Sequence, residues 1–137
     1  MLAVMKCVVV LLAFVSLAWG QEQHCHCASI ITTEEGAGLA YDLPPTEVQD
    51  CSNLEACELR CIDEYTVLTN DGDLDFVLEN GETVGQVACN TLKPQGYDDV
   101  GPLEVFLYYN LCLGPWYYTG FKSQQKLCCV GGEHTPC

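Results

Sequence analysis

The cysteine content constrains this chain more than any other feature of its sequence. Among its 137 residues are 11 cysteines, and all but Cys7 lie beyond residue 24. The ten cysteines beyond residue 24 are an even number, which in an oxidising compartment predicts complete pairing into disulfides. Each bridge would stabilise the folded state by roughly 2–4 kcal/mol, mainly by restricting the unfolded chain. Spacing alone leaves the connectivity open. The residues expected to pair are Cys25, Cys27, Cys51, Cys57, Cys61, Cys89, Cys112, Cys128, Cys129 and Cys137.

The first twenty residues predict the localisation of the protein. Residues 1–6 carry one positive charge, residues 7–18 are apolar, and Ala18 and Gly20 place small side chains at a cleavage site. This order is typical of a secretory signal peptide. The apolar run of about 12 residues is too short for a transmembrane helix, which needs ~20. We therefore expect cleavage near Gly20, a secreted product without a membrane span, and a single disulfide-rich extracellular domain over residues 21–137.

The charge of the chain is strongly acidic. It has 19 Asp and Glu against 5 Lys and Arg, a formal net charge of −14 at pH 7. Nucleic acid and anionic membrane surfaces are excluded as partners, because binding to both requires clustered basic side chains. The acidity fits a soluble protein with an extracellular protein partner that is basic, and weak association with calcium stays open.

The strongest local pattern predicts a helix over residues 52–64. Ser52 and Glu55 have the S-x-x-E spacing of a capping box, in which each side chain accepts a backbone N–H of the first turn. Leu54, Cys57 and Cys61 follow at helical spacing and share one face. Two cysteines one turn apart are expected to bridge to different strands and so to staple the helix to a sheet.

The remaining pattern favours β-structure. The Asn-Gly pair at residues 80–81 is a strong hairpin signal and predicts a meander of three strands around it. Adjacent Cys128 and Cys129 would point to opposite faces of the last strand and bridge to different elements. The expected class is α+β: a small disulfide-rich domain with one capped helix stapled to a mainly antiparallel β-sheet. The predicted strands are 28–32, 65–69, 74–78, 83–88, 103–109 and 126–130, with an irregular loop over 34–49.

Metal binding and catalysis find little support in the sequence. The acidic residues from Asp71 to Glu82 approach the spacing of an EF-hand loop, but Phe76 stands where that loop needs glycine, so a solvated acidic turn is expected. The run from His24 to Cys27 holds four metal-capable side chains, but four consecutive residues cannot readily surround one tetrahedral ion. No serine or histidine lies in a known catalytic motif. We expect no enzyme activity, no catalytic residue, no metal and no cofactor.

Two aromatic segments, 106–109 and 115–121, are the candidate binding residues. Strand alternation would bury about half of these rings, and exposed Tyr and Trp favour contacts with proteins or carbohydrates. Whether this segment is core or surface stays open from sequence. The candidates are Tyr108, Tyr109, Trp116, Tyr117 and Tyr118.

Several motifs carry a family resemblance. They are the Cys25-x-Cys27 pair, the cysteines at 51, 57 and 61, the segment 80–85, Gly114-Pro115-Trp116, and Leu127-Cys128-Cys129 with Cys137. With these motifs, most of residues 25–137 resembles the arthropod follicle-cell family of secreted cysteine-rich proteins, which are associated with the eggshell and other extracellular coats. The resemblance implies a structural or matrix role and carries no catalytic residues.

The function predicted from sequence is therefore a secreted, disulfide-stabilised structural or binding protein of an extracellular coat or matrix. It would act through protein contacts rather than catalysis. The alternative is a secreted protease inhibitor, immune effector or toxin-like protein. An inhibitor would need a rigid exposed loop between cysteines, and the segment from Cys89 to Cys112 with Lys93-Pro94 is the candidate.

Overall fold

The computed structural model describes residues 23–137, so the predicted signal peptide lies outside the described residues. Two helices and antiparallel strands make up the fold, and the predicted α+β class is confirmed. Within the described range, no helix is long and apolar enough to cross a bilayer. The helices are α1 (Leu54–Thr69) and α2 (Val84–Leu92), with a 3-10 turn at Lys93–Gln95. The strands are β1 (His24–Thr33), β2 (Gly36–Asp42), β3 (Thr46–Glu47), β4 (Val100–Leu103), β5 (Phe106–Leu111), β6 (Tyr117–Lys122), β7 (Leu127–Val130) and β8 (Glu133–Thr135).

Five strands form the main sheet, in the order β2-β1-β5-β6, with β3 paired to the start of β1. A small second sheet has the order β4-β7-β8. The prediction of an irregular loop over residues 34–49 is wrong, because this segment contains β2 and β3. Its glycines at 36 and 38 lie in β2, opposite Thr33 and Ile31 of β1. The predicted strand over 103–109 is also divided, since β4 and β5 lie in different sheets.

Helix α1 is longer than predicted and is capped differently. Its N-cap is Asn53, whose side chain accepts from Ala56 N at 3.1 Å, whereas Ser52 donates its hydroxyl to Asp50 at 2.7 Å. The helix continues to Thr69, so the predicted strand over 65–69 is wrong. Tyr65 lies in the core at 2 % exposure, and burial of this ring favours another helical turn. The helix ends where Asn70 adopts a left-handed conformation, φ 50°.

The predicted meander is the largest error of the sequence reading. Thr83 is not in a strand but is the N-cap of α2, and its hydroxyl accepts from Gln86 N at 3.0 Å. Val84, Ala88 and Leu92 then follow at helical spacing and are all buried. The Asn-Gly turn does reverse the chain, and a single bridge joins Val77 to Thr83.

The ten cysteines of residues 23–137 are all paired, in five disulfides. The α1 cysteines bridge to the sheet as predicted, but both reach β1, through Cys25–Cys57 and Cys27–Cys61, so the expectation of two different strands is wrong. A one-turn spacing on α1 matches a two-residue spacing on β1, because each places two side chains on one face. The other bridges are Cys51–Cys112, Cys89–Cys129 and Cys128–Cys137, so the adjacent cysteines do reach different elements.

Both helices pack on one face of the main sheet, which we call the helix face. α1 covers the half formed by β1 and β5, where Cys27, Leu107 and Tyr109 lie in one core cluster with Cys61. α2 covers the half formed by β2, in a second cluster that includes Ile31, Ala40 and Leu92 and continues to the small sheet. The opposite side of the main sheet, the outer face, has neither helix on it.

Candidate interaction surface

Strand alternation assigns each aromatic candidate to one face of the main sheet. In β5, Leu107 and Tyr109 are buried against α1. The alternating residues Phe106 and Tyr108 therefore point to the outer face. Directly paired residues of antiparallel strands project to the same side, and the pairs are Tyr108 with Tyr118 and Tyr109 with Tyr117. The aromatic candidates are therefore divided between the two faces.

The outer face carries two groups of packed rings, which we together call the aromatic patch: Phe106, Tyr108 and Tyr118 in one group, Trp116 and His26 in the other. The ring centroids of Tyr118 lie 5.5 Å from Phe106 and 5.4 Å from Tyr108. Farther along, the Trp116 ring lies 5.1 Å from His26. Trp116 and Tyr118 are 45 % and 44 % exposed, so both are available to a partner while one side of each ring is packed.

Tyr109 and Tyr117 lie on the helix face and do not belong to the patch. Tyr109 is only 6 % exposed and donates its hydroxyl to the Glu58 carboxylate of α1 at 3.0 Å. Burial and this hydrogen bond raise the pKa of Tyr109. Tyr109 is thus a core residue that anchors α1, which corrects its selection as a binding residue. The ring of Tyr117 packs against the ring of Tyr109, with centroids 5.6 Å apart, and Tyr117 is 41 % exposed.

A rigid turn between β5 and β6 determines where Trp116 lies. Cys112 and Leu113 both adopt left-handed conformations, with φ of 53° and 59°, and the Gly114 N–H donates to Leu111 O at 3.0 Å. Cys112 is also bound to Cys51, which anchors the turn to the chain just before α1. The ring of Trp116 therefore projects from a cross-linked turn rather than from a free loop.

Partnered polar side chains lie at both ends of the aromatic patch. At one end the ring of His26 is hydrogen-bonded to the Asp42 carboxylate of β2. At the other end Lys122 contacts Glu104 at 3.0 Å, and the hydrogen bond with this carboxylate raises the pKa of Lys122. Because His26 and Lys122 each have a carboxylate partner, the rings are the dominant accessible groups of the patch.

The metal candidates of the sequence have other uses in the fold. The sulfur atoms of Cys25, Cys27 and Cys61 lie within 4.8 Å of one another, but all three are in disulfides and cannot supply thiolates. In the acidic turn, the Asp73 carboxylate accepts from Gln125 Nε2 at 2.6 Å and from Asp75 N at 3.0 Å. These contacts build a protein turn around Asp73. Weak calcium association through the other acids remains a prediction.

One contact between reactive groups was not found from the sequence. Thr83 Oγ1 lies 2.9 Å from His134 Nδ1, and 51 positions separate the two residues, so no local pattern links them. The Thr83 hydroxyl is already engaged as the N-cap of α2, where it accepts from Gln86 N. The hydroxyl thus contacts both Gln86 N and His134, and the contact serves to attach β8 to the helix N-terminus.

A scan of protein-family models, a search of curated proteins and a search of solved structures each found no match to this chain.

Proposed function

We propose that this protein is secreted and acts as a disulfide-stabilised structural or binding protein of an extracellular coat or matrix. It works through protein contacts and not through catalysis. The observation that carries the proposal is the aromatic patch, two groups of packed but accessible rings on a sheet face without a helix. Five disulfides in a fold of this size support an oxidising, extracellular environment.

The physical properties of the patch favour protein recognition. Tyrosine and tryptophan are enriched among the residues that dominate binding energy, because they bury a large area and still offer a polar group. Trp116 and Tyr118 are held by ring contacts and by the turn that Cys112 cross-links, so little side-chain entropy remains to be lost on binding. A pre-ordered aromatic surface supports tight binding to a complementary protein surface.

The experiment tests retention on an extracellular coat. The tagged full chain, expressed through the secretory route, is incubated with isolated coat material, and the retained fraction is measured. Trp116→Ser with Tyr118→Ser should reduce retention by roughly tenfold or more, the range expected for hot-spot residues. Val130→Ser is the matched control, because Val130 is 63 % exposed but lies on β7 of the small sheet. Equal retention of the parent protein, the double variant and the Val130→Ser control would contradict the proposal.

The protease-inhibitor alternative gains no support from the described residues. Within its candidate segment from Cys89 to Cys112, Lys93 and Pro94 lie in a 3-10 turn at the end of α2, whereas insertion into a protease cleft needs extended backbone at these residues. The aliphatic part of Lys93 also packs on Gly132, since a Cβ placed on that glycine would lie 2.7 Å from Lys93 Cδ.

A further inference from the structure

A groove along one flank of α1 is a second candidate surface for binding a partner. It runs between α1 and the chain at the end of β2, has a volume of about 830 Å³, and includes Tyr41, Leu43 and Pro44 on one side. We call it the α1 groove. Because α1 covers the helix face, the α1 groove and the aromatic patch lie on opposite sides of the main sheet.

The α1 side of the groove exposes two large apolar side chains. Leu59, Asp63 and Val67 follow one another at intervals of four residues and so form one stripe, about 12 Å long. Leu59 is 54 % exposed and Val67 is 82 % exposed. With the apolar side chains at the end of β2, Leu59 and Val67 form an exposed apolar surface that Asp63 interrupts, and exposed apolar surfaces on soluble proteins mark interaction sites.

Among the residues described, the groove has one unpaired charge, and it is negative. Its one basic residue, Arg60, is engaged within the protein, because it donates from Nη2 to the Glu64 carboxylate at 2.6 Å and from Nη1 to Cys25 O at 3.1 Å. Asp63 is exposed and has no hydrogen-bond or ion-pair partner among the described residues. The groove therefore offers a free carboxylate between its two most exposed apolar side chains.

The acidic character continues beyond the N-terminal end of the groove. A smaller cavity of about 290 Å³ shares Ala56 and Arg60 with it and is also lined by Glu47 and Asp50. Hydrogen bonds from the Ser52 side chain and backbone to the Asp50 carboxylate lower the pKa of Asp50. This carboxylate stays charged at neutral and mildly acidic pH, so a cationic side chain at this end would meet two carboxylates.

Charge complementarity decides the class of occupant. A second copy of this chain carries the same net charge of −14, and an anionic lipid surface is also negative, so both are repelled. We propose that the α1 groove docks a segment of a partner protein in which apolar side chains lie next to lysine or arginine. The apolar side chains pack on Leu59 and Val67, and the cations lie at Asp63 and at the Glu47–Asp50 end. The inference depends on the proposed function only in taking the partner to be a protein.

The experiment selects ligands without assuming a sequence. A displayed library of random peptides of about 12 residues, long enough to span the stripe in either extended or helical form, is panned on the full chain. We expect enriched peptides that combine apolar residues with Lys or Arg. A fluorescein-labelled copy of the best peptide is then measured by anisotropy, and its affinity should fall as salt is raised.

Matched variants locate the binding. Leu59→Asn with Val67→Asn, and separately Asp63→Asn, should each weaken the peptide by roughly tenfold or more. Val130→Asn controls for loss of an exposed apolar side chain elsewhere, and Trp116→Ser with Tyr118→Ser removes the aromatic patch. Both should leave peptide affinity unchanged. The groove variants replace exposed side chains, and comparison of far-ultraviolet circular dichroism with the parent protein checks that the fold is kept.

Three results would overturn the proposal: no enriched peptide, enriched peptides without Lys or Arg, or equal binding to the parent protein and the groove variants. Failure of the aromatic patch to retain the protein on a coat would leave these measurements unaffected. The two proposals can therefore fail separately.

Discussion

Gly85 provides a sharp test of how the second helix is attached to the small sheet. This glycine lies in the first turn of α2, and a Cβ added to it would lie 2.4 Å from both Cε1 and Nε2 of His134. Non-bonded carbon atoms approach to about 3.5–4.0 Å, so Gly85→Ala requires the ring to move by more than about 1 Å. The ring cannot move freely, because its Nδ1 is hydrogen-bonded to Thr83 and the His134 N–H donates to Gln86 at 2.9 Å.

The magnitude follows from three contributions. Overpacking costs about 1–3 kcal/mol, and loss of the Thr83–His134 hydrogen bond costs about 1 kcal/mol. Alanine is the better helix former, which returns about 1 kcal/mol. We therefore expect Gly85→Ala to lower the free energy of unfolding by about 1–3 kcal/mol. The assay is denaturant unfolding with the disulfides intact, followed by circular dichroism and by tryptophan fluorescence.

Three further proteins make the test specific: Gly101→Ala, the single variant His134→Ala and the double variant, because the coupling energy requires both single variants. Gly101→Ala is the matched control, because a Cβ there meets no atom within 4 Å and the residue has no positive φ, so the change should stay within about 0.5 kcal/mol. In the double variant Gly85→Ala with His134→Ala, the ring is absent, and the coupling energy should be at least about 1 kcal/mol. If Gly85→Ala is as stable as the parent, or if the coupling is zero, the ring does not pack on Gly85 and the reasoning is refuted.

Three other predictions concern the core, the cross-links and the helix cap. Burial raises the pKa of Tyr65, so unfolding at high pH releases a proton and stability is lost as pH rises above the unfolded value of about 10. Tyr65→Phe should reduce this alkaline loss in unfolding curves, and an unchanged pH dependence would contradict the assignment. Replacing both Cys51 and Cys112 by serine removes a bridge with a sequence separation of 61. The free energy of unfolding, measured by denaturant unfolding, should fall by at most roughly 4 kcal/mol, because the other bridges already shorten the loop that this bridge closes. Asn53→Ala should cost about 1 kcal/mol of unfolding free energy and Ser52→Ala clearly less, whereas the reverse order would restore the capping box as the helix start.

The sequence predicted best where local pattern and tertiary packing agree. The helix around Cys57 and Cys61 was found because an apolar face at helical spacing persists there, and its core contacts use that same face. Prediction failed at residues 65–69, where β-branched and aromatic residues favour a strand in isolation. There Tyr65 gains more by entering the core from one further helical turn, and the Thr69 hydroxyl donates back to Tyr65 O at 2.6 Å.

The second helix illustrates the same competition. Thr83 and Val84 have high β-propensity and follow an Asn-Gly turn, so a hairpin was the natural interpretation. The Thr83 hydroxyl instead caps a helix, and Val84, Ala88 and Leu92 close the core between the two sheets. The spacing was present in the sequence, but nothing local indicated that a core lay on that side.

The cysteines show where sequence information ends. One helical turn places Cys57 and Cys61 on one face of α1, and this much follows from the sequence pattern. A common face for Cys25 and Cys27 does not, because the strand is predicted to begin only at residue 28. Tertiary packing brings these two pairs together and joins Cys51 to Cys112. The direction of a side chain depends on local backbone geometry, whereas the meeting of distant segments depends on how whole elements pack. For the same reason, the sequence marked the aromatic residues as candidates, but the pairing of β5 with β6 decided that Tyr118 joins the outer patch and Tyr109 the core.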